Sequence, residues 1–226
     1  MKYLSITDTI LRNRENFFQE IKQSSNLPKK MRDLLASSFV FFAFYGIVMG
    51  IGHGWEQARS SLLKLPILFL LTLAICGPSL HYFNILYGSK QSAQQTLTLI
   101  LTAIATTSVL AASLAPISLF FIVTGSSYSF LKLMHVVFLG VAGYQGTVFL
   151  RQGVAAVHAD ASEESQGMRK SVFMIWLLLY ALVGTQMAWL LSPYIGNPEM
   201  PFLLFRHAEG NFYLDVLQTL AELLGF

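Results

Sequence analysis

The residues Leu34 to Gly54 read LLASSFVFFAFYGIVMGIGHG, 21 positions without an acid, a lysine or an arginine. A helix rises about 1.5 Å per residue, so a run of this length crosses the roughly 30 Å hydrocarbon core of a bilayer. Gly46, Gly50 and Gly54 recur every fourth residue, which stacks them on one face of that helix. Small residues so placed let helix backbones approach closely. Seven of the fifteen basic residues precede the run. It reads as the first span of a multi-spanning membrane protein, with its entry direction set by that basic bias.

Composition agrees. Hydrophobic residues make up 54% of the 226 and charged residues 12%, about half the ~25% of soluble proteins. The net charge of +3 is concentrated at the N-terminus, which points to an anionic cytoplasmic leaflet as its counterpart. No basic stripe is interleaved with aromatics, so nucleic acid is not an expected partner. Cys76 is the single cysteine; it can form no intramolecular disulfide and supplies no cysteine-based metal motif. The first apolar run starts too late for an ordinary secretory signal, and no small-residue cleavage site follows it, so it reads as a retained span.

Residues 1–33 form a polar N-terminal segment. Ile10, Leu11, Phe17, Phe18 and Ile21 recur near helical spacing, which predicts an amphipathic helix from Thr9 to Gln23. Such a helix lies on the membrane, packs on a partner or docks on the protein's own loops. Pro28 suits the first turn of a new helix running through Lys29, Lys30 and Arg32 into span 1.

Span 1 is read as 34–53, followed by a short polar outer loop over His53–Ser61. Span 2 covers 62–86, with a kink or break expected near Ile75–Pro78, where proline removes a backbone hydrogen bond. Gly88–Gln95 is a polar turn. Span 3 starts near Thr96 and is rich in Thr and Ser, whose hydroxyls can bond the carbonyl one turn back. Pro116 either ends it or kinks a longer helix reaching Val123. Span 4 covers 128–150, a polar loop covers 151–170, and span 5 covers 171–192. The expected transmembrane domain is thus 34–192. In the tail, 193–226, Asn211 is a candidate N-cap for a short amphipathic helix. The predicted fold is an all-α polytopic membrane bundle of about five transmembrane helices, with amphipathic helices at both termini.

With a cytoplasmic N-terminus, eleven Lys and Arg fall on the inner side. Four, Arg59, Lys64, Lys132 and Arg206, fall on the outer side. That bias supports an N-in, C-out arrangement, in a bacterial inner or thylakoid membrane. Tyr45, Trp55, Tyr82, Tyr87, Tyr128, Trp189 and Tyr194 fall near span ends and read as interface anchors.

Ionisable residues inside spans are candidates for function because lipid makes them costly. Lys64, His81, Lys132 and His135 are the main ones. A metal or haem site using His53 and His135 is geometrically allowed, but no ligand pair shares one helix face, so no metal and no cofactor is expected. The bland alternative is that Lys64 and Lys132 snorkel to the interface while the histidines hydrogen-bond between helices. A solute path would use His81 and Asn84 beyond the Gly77–Pro78 kink, with Thr102 and Thr106 on span 3. No H-E-x-x-H, no nucleophile elbow and no phosphate-cradling glycine loop is present, so no catalytic residues are expected.

The glycine pattern carries the strongest signal. Gly46, Gly50 and Gly54, with Ala142 and Gly146 on span 4, are the expected helix-packing positions, within this bundle or on another subunit. Candidate docking residues are Arg12, Arg14, Phe17, Phe18, Lys29 and Lys30 at the N-terminus. Phe212, Tyr213, Leu217 and Leu220 are their counterparts in the tail.

The stretches FFQEIKQSSNLPKKMRDLLASSFVFFAFYGIVMG, KLPILFLLTLAICGPSLHYFN, LAPISLFF and RHAEGNFYLDVL resemble those of small bacterial, notably cyanobacterial, membrane proteins with no assigned activity. The five-span layout also resembles the Yip family, membrane proteins with a cytoplasmic N-terminal region linked to trafficking and membrane organisation. Neither resemblance implies catalytic positions. The expected function is that of a non-enzymatic subunit, scaffold or assembly partner of a membrane complex, held in the lipid bilayer and bound to another membrane protein or to itself. The alternative is a small-solute or ion channel or transporter.

Overall fold

A computed structural model describes residues 4–86, 91–157, 163–197, 199–206 and 210–225. Among these are nine helices: α1 Leu4–Arg12, α2 Arg14–Lys22, α3 Leu27–Ile51, α4 Trp55–Leu86, α5 Ala93–Ser113, α6 Ala115–Val123, α7 Tyr128–Val157, α8 Glu163–Leu190 and α9 Phe212–Leu224. Five helical stretches are long and apolar enough to span a bilayer: Leu27–Ile51, Trp55–Leu86, Ala93–Val123, Tyr128–Val157 and Ser171–Leu190. The expected all-α membrane bundle is therefore the observed class.

Helix α5 sits at the centre, packed by α3 on one side and α7 on the other. Its start is set by a capping box: the Gln95 backbone N–H donates to Ser92 Oγ at 3.2 Å, and the Ser92 N–H to Gln95 Oε1 at 2.8 Å. Each hydroxyl satisfies itself on its own helix, so a threonine-rich helix can be buried. Thr102 Oγ1 donates to the Thr98 carbonyl at 2.8 Å and Thr106 Oγ1 to the Thr102 carbonyl at 2.9 Å. A hydroxyl that hydrogen-bonds one turn back presents mostly carbon to its neighbours.

The three prolines inside spans behave differently. At Pro116 the regular ladder stops, and α6 restarts as one continuous candidate span with α5. Helix α4 instead runs unbroken through Pro66 and Pro78. At that second proline the Trp176 indole on α8 donates to the Cys76 carbonyl at 3.0 Å and to Ser79 Oγ at 3.1 Å. The break expected near Ile75–Pro78 is thus absent, and the site serves to hold α8 on α4.

Several predicted boundaries move. The expected loop His53–Ser61 is helical from Trp55, because its polar residues Gln57 and Ser61 face a protein partner described below, not water. Helix α7 runs to Val157, and α8 begins at Glu163, so most of the expected loop 151–170 is helix. The single N-terminal amphipathic helix is two, parted at Asn13. Tyr87, Lys90 and residues 158–162 lie outside the described residues.

The N-terminal pair closes one end of the bundle. Ile10, Phe17, Phe18 and Ile21 are buried, with α2 lying on α7 and α5. Gln95 Nε2 donates to the Ile21 and Lys22 carbonyls, both at 3.0 Å, so the side chain that caps α5 also closes the open C-terminal end of α2. Lys30 Nζ pairs with Glu20 at 2.6 Å and lies 5.8 Å from the Phe17 ring centroid.

Candidate functional site

The predicted packing glycines are used inside this chain. A Cβ on Gly46 would collide with the Ser61 backbone carbonyl, and one on Gly50 would lie 2.6 Å from the Gln57 carbonyl oxygen. Both therefore seat α3 against α4. Gly146 lies against Ala103 and Thr107 of α5, and Ala142 is buried beside it. Gly54 is a correction: it lies beyond the end of α3, at φ +125° with open space around it. Its role is the left-handed turn into α4, where only glycine is unstrained.

The docking residues divide. Phe17 and Phe18 are buried in the bundle and Lys30 is paired with Glu20, so these three are occupied within the chain and do not form an outward surface. Arg12, Arg14 and Lys29 remain exposed. On α9, Tyr213, Leu217 and Leu220 are exposed, whereas Phe212 is half-buried. The polar-path residues do not meet. Thr102 and Thr106 lie inside the core, and the pocket that Thr106 lines measures about 10 Å³, room for about one water. His81 and Asn84 sit half-buried near the far end of α4.

The chemistry that the structure does bring together lies at the opposite end, beneath the segment joining α8 to α9. Residues 191–197 and 199–206 fold back over the start of α4 as a strap. Its backbone carbonyls need donors, and α4 supplies them. Gln57 Nε2 donates to the Pro193 carbonyl at 2.8 Å and to the Tyr194 carbonyl at 3.1 Å. Ser61 Oγ also donates to the Tyr194 carbonyl. Lys64 Nζ donates to the Pro193 carbonyl at 3.2 Å and to the Leu204 carbonyl, with the Phe205 ring 4.9 Å away. His53 Nε2 bonds the Met200 carbonyl at 3.0 Å. The snorkelling expectation for Lys64 is thereby overturned: the residue is 5% exposed and its ammonium is turned to protein carbonyls. Burial raises the Tyr194 phenol above its ordinary ionisation range.

Helix α9 locks the strap from outside. Lys132 Nζ on α7 lies 2.6 Å from Asp215 Oδ2 and 2.8 Å from Thr219 Oγ1. Arg206 Nη1 reaches Asp215 Oδ1 at 3.3 Å, and its guanidinium lies 5.6 Å from the Trp189 ring. Lys132 therefore pairs within the protein instead of snorkelling. The Asn211 N-cap is as predicted, its side chain accepting from the Leu214 N–H at 3.0 Å.

Beneath this cap lies a cavity of about 210 Å³. Its apolar wall comes from Met49, Ile122, Leu131 and Ile195, and Gly52, Gly125 and Gly196 add only backbone. Gly196 has no room for a Cβ because the His53 ring occupies that space. Ser126, Tyr128 and His135 supply its polar lining, and His135 is 2% exposed. Its Nδ1 is 2.8 Å from the Tyr45 hydroxyl, while its Nε2 has no partner among the described residues. Tyr45 is 0% exposed, so its reading as an interface anchor is corrected. Depth could have disclosed the pair. Tyr45 lies about 9 Å before the end of α3 and His135 about 10 Å after the start of α7; both measure from the same end of the bundle. His53 and His135 each bond a protein partner, and no group of three His, Cys, Asp or Glu able to hold a metal occurs among the described residues.

Comparison with protein-family models, with curated proteins and with solved structures finds no match to this chain.

Proposed function

We propose that this chain is a non-enzymatic integral membrane protein that acts as a subunit, scaffold or assembly partner of a membrane complex. Its site would be a bacterial inner or thylakoid membrane, with the N-terminus in the cytoplasm. The observation that carries the reading is the uneven enclosure of the five spans. The most apolar windows of α3, α4 and α5–α6 are 50%, 56% and 67% buried, whereas those of α7 and α8 are 28% and 11% buried. Helix α8 packs mainly on α4, with α9 crossing its end. On α7, Gly140 and Gly143 have nothing within 4 Å of where a Cβ would sit, and Val137, Val141 and Tyr144 around them are exposed. Unlike Gly46 and Gly146, these glycines are unused by the bundle. An open small-residue face is where a helix of another protein gains close contact in lipid.

The test is native mass after extraction in mild detergent, with identification of what travels with the tagged chain. A different protein in fixed stoichiometry supports the proposal. Gly140→Leu should release that partner while leaving the thermal unfolding of this chain unchanged, because the substituted position is open. A monomer with no companion overturns the reading. A homo-oligomer alone replaces it with the channel alternative.

A further inference from the structure

We propose that the junction of α2 and α7 binds the headgroup phosphate of an anionic phospholipid, with Arg14, Gln152 and Arg151 as the contacting side chains. Depth is the first support. Helix α7 carries no Lys, Arg, Asp or Glu between Lys132 and Arg151. At about 1.5 Å per residue the two lie roughly 28 Å apart along the helix, close to the roughly 30 Å of a hydrocarbon core. With Lys132 at one edge of that core, Arg151 and Gln152 stand at the other, where lipid phosphates begin. Helix α2 lies at the same level, because its Phe18 ring packs against Gly153. On the orientation proposed above this is the cytoplasmic leaflet, the one that carries anionic lipid.

Geometry is the second. Arg14 Nη1 donates to Gln152 Oε1 at 3.3 Å, so two residues 138 positions apart present their donors side by side. The guanidinium spends one of its five N–H groups in that bond, and the Gln152 Nε2 amide keeps both of its own. Arg151, the next residue on α7, adds a second guanidinium. Arg14 and Arg151 are exposed and Gln152 is half-buried, so a headgroup has access from the lipid side. A guanidinium fork matches two phosphate oxygens at once.

Charge is the third. Neighbouring carboxylates are already used: Asp8 by Arg12 at 2.7 Å, Glu20 by Lys30 at 2.6 Å and Asp33 by Arg32 at 3.5 Å. Arg14 and Arg151 enter no ion pair among the described residues. Glu15 follows Arg14 on α2 but points about 100° round the helix, which leaves two guanidiniums against one carboxylate. A zwitterionic lipid brings its own cation to compete for the phosphate, whereas an anionic lipid brings none.

The experiment uses the full chain in dodecyl maltoside. It is titrated with dioleoylphosphatidylglycerol or with dioleoylphosphatidylcholine and read by native mass spectrometry. Phosphatidylglycerol is expected to fill one site at least tenfold more tightly than phosphatidylcholine. Arg14→Gln and Arg151→Gln should each weaken it severalfold, and the double variant should bring it down to the affinity of phosphatidylcholine. The two residues lie on separate helices, so a folding defect in one variant leaves the other as the test. Arg59→Gln removes the same charge from the exposed start of α4 and should change nothing. Glycerophosphoglycerol, the same headgroup without acyl chains, names the source. Its failure to displace the lipid assigns the site to the membrane, and displacement at equal concentration gives the site to a soluble phosphate and overturns the proposal. So does equal affinity for the two lipids, a preference that survives the double substitution, or one lost equally in Arg59→Gln. The site needs no protein partner, so its failure leaves the reading as a complex subunit untouched.

Discussion

Lys132 Nζ on α7 lies 2.6 Å from the Asp215 carboxylate on α9, and this pair turns the C-terminal helix the opposite way from a soluble amphipathic helix. Asp215 and Thr219 face the bundle, while Leu214, Leu217, Leu223 and Leu224 face outward. The arrangement suits lipid, where the polar face is the one that must be covered.

Asp215→Asn should therefore free α9. The change leaves the partly buried Lys132 and Arg206 cations without their shared carboxylate, and removing one member of such a buried pair costs about 3 kcal/mol. The expected outcome is earlier proteolytic cleavage near Asn211 in detergent, with little change in the unfolding of α3–α5. Cleavage at the rate of the native chain would mean that the pair does not hold the helix.

The glycines should separate cleanly by substitution. Gly46→Ala forces α3 away from the Ser61 carbonyl, and overpacking of this kind costs about 1–3 kcal/mol. Gly143→Ala meets open space and should be neutral or stabilising by up to about 1 kcal/mol through helix propensity. Thermal unfolding of both in the same detergent measures the contrast. Equal midpoints would show that the α3–α4 contact is not tight.

Trp176→Phe keeps the aromatic packing on α4 but loses the indole donor to the Cys76 carbonyl and Ser79, about 1 kcal/mol for one hydrogen bond. Cys76 is itself buried under that contact and is the only thiol in the chain. It should react faster with a maleimide in the variant. An unchanged alkylation rate would show that α8 is held by other contacts.

Tyr194 gives the pH dependence. Burial raises its folded phenol above the ordinary value of 10.0, so the unfolded chain loses this proton first. The contribution to stability is fully present below pH 10.0 and falls as pH rises from there toward the folded value. Tyr194→Phe removes both the titrating group and a buried hydroxyl without a partner among the described residues. The variant should hold the strap better than the native chain at both pH values, and by a larger margin at pH 11 than at pH 8. Proteolysis within residues 191–206 at the two pH values measures it, and parallel profiles would exclude Tyr194 from the effect.

Hydrophobic run length alone determined the class and the number of spans, because a bilayer sets the same length for every helix that crosses it. Local chemistry determined the start of α9 at Asn211 and the seat of Pro28 in the first turn of α3, since caps act within one turn. Sequence also marked Gly46 and Gly50 as close contacts, though not the helix they touch.

Tertiary structure decided everything that depends on what lies across the bundle. Gln57, Ser61 and Lys64 look like a wet loop and a snorkelling lysine when read along the chain; the strap, more than a hundred residues later, makes them buried donors. Phe17 and Phe18 look like a docking face until α7 and α5 cover them. Tyr45 has the position of an interface anchor and His135 that of an isolated polar residue. Only the antiparallel course of α3 and α7 sets them at one depth, where they bond each other. Periodicity reports which face of a helix is apolar, but in lipid both faces are apolar, so the choice of neighbour rests on close packing and on paired polar groups, which only the folded chain brings together.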